Sequence, residues 1–211
     1  MRKEKMLSRI KEHVVERKFI YGLLSLCLLC GIIVGVIYSF TINMEETSNI
    51  SDAITTFFGA LGEEAPSVMS VFRASFFSNA RLFIILALLG LHYMLVPIEF
   101  AVIGCKGFPI GFTLSFMIIN FKARGLLLGL IALLPQMLIL MPLIFYYTTV
   151  SIDFAWEGRR SRNKSKYRNF SVDAYRSYFM KVMMGIVLLC GIGLIDSMVI
   201  PVFMREMAKL F

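Results

Sequence analysis

Four polar side chains stand inside otherwise apolar stretches of this 211-residue chain: His92, Glu99, Gln136 and Asp196. Ionisable groups in hydrocarbon are costly unless paired, and a chain that keeps them generally has a use for them. His92 and Glu99 are seven residues apart, which brings them to one face if both lie on one helix. An imidazole and a carboxyl so placed could relay protons. The alternative is structural: Glu99 ion-paired with Lys106 or Lys181, and Asp196 with Arg81 or Arg124. Both readings stay open at this level.

Other constellations carry less chemistry. Cys27 and Cys30 form a CxxC, but no second ligand pair accompanies them, so they read as small helix residues rather than a zinc or redox site. His13 and His92 are the only histidines, which makes a metal centre of ordinary composition hard to assemble. There is no nucleophile elbow, phosphate-cradling Gly-rich loop, HExxH helix or pair of catalytic carboxylates. The expectation is a protein that is not an enzyme and that carries no cofactor and no metal.

The elements that must position these residues are five long apolar runs, near residues 19–40, 82–103, 107–121, 125–150 and 182–204. The composition, 58% hydrophobic and 17% charged, offers more apolar surface than a soluble domain of this length can bury. About 20 apolar residues cross a hydrocarbon core roughly 30 Å thick, and four of the runs reach that length. The run 107–121 is shorter and would tilt little, thin the bilayer or re-enter. No run alternates with the period of a membrane strand. The expected fold is therefore all-α: a polytopic membrane helix bundle of about five transmembrane helices. The first run exceeds a signal-peptide core and lacks a small-x-small site, so it is expected to remain as an anchor.

Charge gives the bundle a direction. With the N-terminus inside, sixteen of the 22 Lys and Arg residues lie inside, Lys106 among them in a tight turn, and six lie outside. The positive-inside rule then predicts N-terminus inside and C-terminus outside. The net charge of +8 follows this asymmetry, which points to anionic lipid as the partner and away from nucleic acid.

The expected organisation is a cytoplasmic basic segment, 1–18, and a single membrane domain, 19–211, with an outer loop 41–80 and a basic inner loop 153–181. In the first segment Met6, Leu7, Ile10 and Val14 recur at helical spacing, either resting on the inner leaflet or belonging to a solvated tail. In the outer loop two short amphipathic helices are predicted. One presents Phe57 and Phe58; the other starts at Pro66 and presents Phe72 and Phe76. They could dock proteins or lie in the lipid interface.

Pro97, Pro109, Pro135, Pro142 and Pro201 lie in or at the ends of runs, and Gly31/Gly35, Gly107/Gly111 and Gly125/Gly129 have the GxxxG spacing that permits close helix approach. With Gln136 beside Pro135, they point to a specific bundle rather than loose anchors.

Several of these residues sit in recognisable segments: Pro97-Ile-Glu-Phe, Gly104-Cys-Lys-Gly-Phe-Pro-Ile-Gly-Phe-Thr, and Leu134-Pro-Gln ahead of Met141-Pro-Leu-Ile. With Asn79, the number of runs, the basic loop before the last run and a Met-Arg-Glu ending, the chain resembles the stage II sporulation protein M family of endospore-forming Firmicutes. Asn79, Pro97, Gly104, Lys106, Gly107, Gly111, Pro135 and Gln136 are the positions that carry the likeness, and they are expected to shape the bundle.

The resemblance implies a non-enzymatic scaffold in the mother-cell septal and engulfing membrane. It implies two peptidoglycan hydrolases as partners, a lytic transglycosylase and an amidase/endopeptidase. The competing function is a transporter or channel subunit for an ion, small molecule or lipid, prompted by the broken spans and by His92, Glu99, Gln136 and Asp196. Whether the chain forms a homo-oligomer is left open.

Overall fold

The computed structural model describes residues 16–43, 67–162 and 170–208, with residues 48, 50, 52, 53 and 56 of the segment between its first two helices. Helix α1, Lys18–Thr41, is an uninterrupted Leu/Ile/Val/Gly run that ends where Ile42 turns extended (φ −68°, ψ 136°). Helix α2, Val68–Leu89, begins on Ser67, whose hydroxyl accepts from the Ser70 amide at 3.2 Å and so satisfies one of the free amides of the first turn. Gly90 closes it, its amide bonded to the Leu86 carbonyl.

A short 3₁₀ turn, Tyr93–Leu95, then leads into one helical stretch, Val96–Arg162. That stretch breaks at Lys122 (φ 52°, ψ −131°) and doubles back. It therefore comprises α3, residues 96–121, and α4, residues 123–162. Helix α5, Phe170–Ala208, completes the fold. There is no strand among the described residues.

The all-α bundle of five apolar helices agrees with the sequence, but several of its boundaries do not. The run 82–103 is divided by the turn at Gly90–His92, because Gly90 stops one helix and Pro97 suits the first turn of the next. The turn is itself apolar, which is why hydropathy hides it. The predicted helix presenting Phe72 and Phe76 is the outer half of α2, not a separate surface element. The run 107–121 is the second half of α3, a helix long enough to cross completely. The basic stretch 153–181 is helical up to Arg162 and again from Phe170. The helix predicted around Phe57 and Phe58, and the segment before residue 16, lie outside the described residues.

All five helices contribute to one core: Leu24 from α1, Phe83 and Leu86 from α2, Ile103 from α3, Leu140, Ile144 and Tyr147 from α4, Leu189 and Ile192 from α5. Helices α1 and α3 meet through glycine. A Cβ at Gly31 would collide with the Gly104 carbonyl, and one at Gly35 with that of Phe108. From the other side, a Cβ on Gly107 would strike the Leu28 carbonyl and one on Gly111 that of Ile32. Two of the GxxxG pairs therefore face each other, and the backbones touch because neither helix carries side chains there. The outer face of α1, with Leu26, Leu29, Ile33 and Ile37, is exposed and suits a lipid environment.

Cations collect at one end of the bundle. Arg17 Nε is 3.1 Å from Asp153 Oδ2, tying the start of α1 to α4. The Arg159 guanidinium lies 5.0 Å from the Tyr93 ring centre and 5.5 Å from that of Trp156. Tyr and Trp beside Arg are the anchors expected at a membrane–water interface.

Candidate functional site

Three of the polar contacts that join the helices hold an ionisable group within the bundle, and they lie at three depths. At the basic end Glu99, in the first turn of α3, is fully enclosed (0% exposed). Ser151 of α4 sits 2.9 Å from Glu99 Oε1 and 3.0 Å from the Leu86 carbonyl at the end of α2. Tyr178 of α5 donates to the Ala87 carbonyl at 2.8 Å and lies 3.3 Å from the Ser151 hydroxyl. Four helices thus converge on one hydroxyl. Gly90 makes this approach feasible, since a Cβ there would overlap Ser151 Oγ. Glu99 Oε2 has no hydrogen-bond partner among the described residues. Below this point Phe154 stacks on Tyr178 with ring centres 4.2 Å apart.

Seven residues along α3, about 10 Å higher at 1.5 Å per residue, is Lys106. Its ammonium donates to Asn79 Oδ1 of α2 over 3.4 Å, and Asn79 is buried (3% exposed). Lys106 also borders a cavity of about 120 Å³ between α3 and α4, where Ile110, Thr113, Leu140 and Met141 form the walls. Near the opposite end, Ser75 of α2 donates to Asp196 of α5 at 2.6 Å, with the carboxylate only 4% exposed. Alongside it Gly193 gives room for Phe72, whose ring would be 3.3 Å from an added Cβ.

The structure separates the residues that the sequence grouped. His92 lies in the turn before α3, not on its face; its Nδ1 accepts from the Met94 amide at 3.4 Å, and its ring stacks on Tyr93. The His92–Glu99 relay is thus replaced by the Ser151–Glu99 contact. Lys106 lies within α3, not in a tight turn, because that turn is at Gly90. Neither carboxylate takes the cationic partner expected for it: hydroxyl groups hold both. Phe72 and Phe76 stack 5.7 Å apart, half-buried beside Gly193 of α5. Pro97 occupies the first turn of α3, where its missing amide breaks no helix bond. Gly104, Gly107 and Gly111 line the seam with α1. Pro135 and Gln136 belong to α4, and their side chains lie outside the described residues.

Ser75 and Ser151 escaped the sequence reading, although the run Thr148-Thr-Val-Ser gave a signal: hydroxyls clustered in an apolar stretch. Thr148 and Thr149 bond back to the carbonyls of Ile144 and Phe145, each at 2.8 Å, whereas Ser151 bonds the Leu86 carbonyl of α2.

A membrane bundle of five spans, with Glu99, Lys106 and Asp196 committed to contacts between helices, is the class that this fold and these contacts define. The chain belongs to the stage II sporulation protein M family, whose model matches residues 24–200. The match runs from within α1 to near the end of α5, and so takes in all three contacts. Neither a curated protein nor a solved structure gives a match.

Proposed function

We propose that this sporulation-family membrane protein is a non-enzymatic scaffold that holds peptidoglycan hydrolases at the septal and engulfing membrane during endospore formation. The observation that carries the reading is the use made of the intramembrane polar groups. Glu99, Lys106 and Asp196 each meet a neutral partner on another helix, at three separate depths. Such contacts fix how helices pack, and a fixed bundle is what a scaffold requires. Transport would be better served by ionisable groups gathered at one depth.

In this reading the basic end, with Arg17, Arg159 and Arg160, faces the mother-cell cytoplasm, as the positive-inside rule demands. The opposite end, with Ser67 and Lys122, faces the space where cell wall is degraded. A lytic transglycosylase and an amidase/endopeptidase are the proposed partners, and the scaffold acts by raising their local concentration. Both hydrolases should co-purify with the detergent-solubilised protein from sporulating cells. Normal hydrolase localisation in cells lacking the protein would sink the proposal.

A further inference from the structure

Arg81 is a charged side chain that stands mid-span in α2 and faces outward. Helix α2 brackets the bilayer between Ser67 and Gly90, with Tyr93 and Arg159 marking the interface beyond Gly90. Arg81 is nine residues from Gly90, about 13 Å, and fourteen from Ser67, about 21 Å, at 1.5 Å per residue. Its Cα–Cβ bond tilts toward the amino end of the helix, away from the nearer interface. An arginine there is poorly placed to reach headgroups by snorkelling.

The residues around it form a seam. Phe77, Arg81, Ile84 and Leu88 follow the four-three-four spacing of a helix–helix contact. Phe77 (63%), Ile84 (47%) and Leu88 (59%) are all exposed. An apolar face alone would call only for lipid. The charge at its centre calls for a counter-ion at the same depth.

This chain supplies none among its described residues. Away from the basic end the carboxylate within the described spans is Asp196, 4% exposed, and at the basic end Glu99 is 0% exposed; each is held inside the bundle by a serine. A second copy docked on this face would therefore present no surface acid to Arg81. We propose that this face of α2 docks a spanning helix of a different protein, one that carries an aspartate or glutamate at mid-depth and pairs it with Arg81. The two charges then neutralise each other where neither is tolerated alone. The inference rests on the scaffold reading for its biological use, because it names how a partner would be held.

The test uses a synthetic partner, so that it stands apart from any hydrolase. The full chain, donor-labelled, is reconstituted in phosphatidylcholine vesicles with an acceptor-labelled Leu/Ala helix bearing one central Asp. Energy transfer should report binding about tenfold tighter than for the same helix with a central Leu. That preference should vanish in Arg81→Leu, a substitution at the lipid-facing surface, and when the Asp is moved two turns along the helix. Equal binding of the Asp and Leu helices, or a preference that survives Arg81→Leu, would overturn the proposal. So would an Arg81 effect seen only on adding anionic phosphatidylglycerol, which would make a lipid headgroup the occupant. Self-association of the chain that depends on Arg81 would make it a second copy, and would also overturn it. Thermal unfolding of Arg81→Leu confirms that the bundle is intact. A negative result leaves hydrolase co-purification untouched, and failed co-purification leaves the helix-binding result standing.

Discussion

Ser75 donates a 2.6 Å hydrogen bond to Asp196, joining α2 to α5 across 121 residues of sequence. Because the carboxylate is nearly enclosed, removing its donor exposes it to apolar surroundings with less compensation. Ser75→Ala should lower bundle stability by about 1 kcal/mol, the scale of polar contacts between membrane helices. Asp196→Asn keeps an acceptor for the same hydroxyl and should cost less. A double-mutant cycle in detergent unfolding measures the coupling; a coupling near zero would show that the contact does not hold the helices.

The glycine seam makes a sharper prediction. Gly107→Ala places a methyl group against the Leu28 carbonyl, a backbone atom that cannot rotate away, whereas Gly22 has open space around its Cα. The first change should destabilise by about 1–3 kcal/mol, as overpacking does. Gly22→Ala should be neutral or slightly stabilising, since alanine favours a helix by up to about 1 kcal/mol. Equal effects in an unfolding titration would contradict the observed approach of α1 to α3.

Lys122 occupies a positive-φ conformation that side chains disfavour and glycine does not. Lys122→Gly should therefore stabilise the hairpin by about 1 kcal/mol, the lower end of the strain stored at such positions. A fall in thermal stability would count against the assigned backbone.

His92 and Glu99 are separable by mutation. His92→Ala loses one capping contact in the turn and should leave the yield of heat-resistant spores near normal. Glu99→Gln keeps an acceptor for Ser151 and should also be tolerated, while Glu99→Leu should deplete the protein from membranes. If His92→Ala or Glu99→Gln abolished spore formation at normal protein levels, proton transfer would replace packing as the explanation.

Much of this was legible in the residues. Apolar length gave the helix count, and GxxxG spacing marked the α1–α3 seam, because both depend on local composition. The turn at Gly90–His92 was not legible by hydropathy, since Leu91 and Met94 keep the run apolar and only Gly90 and Pro97 betray the break. His92 was consequently placed on a helix that it precedes. The partners of Glu99 and Asp196 were hidden for a different reason: charge suggests a cation, whereas the fold supplies serine hydroxyls 52 and 121 residues distant in sequence. No local pattern encodes that choice.

The break at Lys122 also bears on biogenesis. A single residue separates α3 from α4, and the backbone of Gly125 already packs on the Met117 carbonyl. So short a connection gives the two helices little freedom to be threaded one after the other, and we expect them to be released from the insertion machinery as a preformed pair. Ribosome-stalling at successive lengths would show this as one late integration event for both helices, and two well-separated events would refute it.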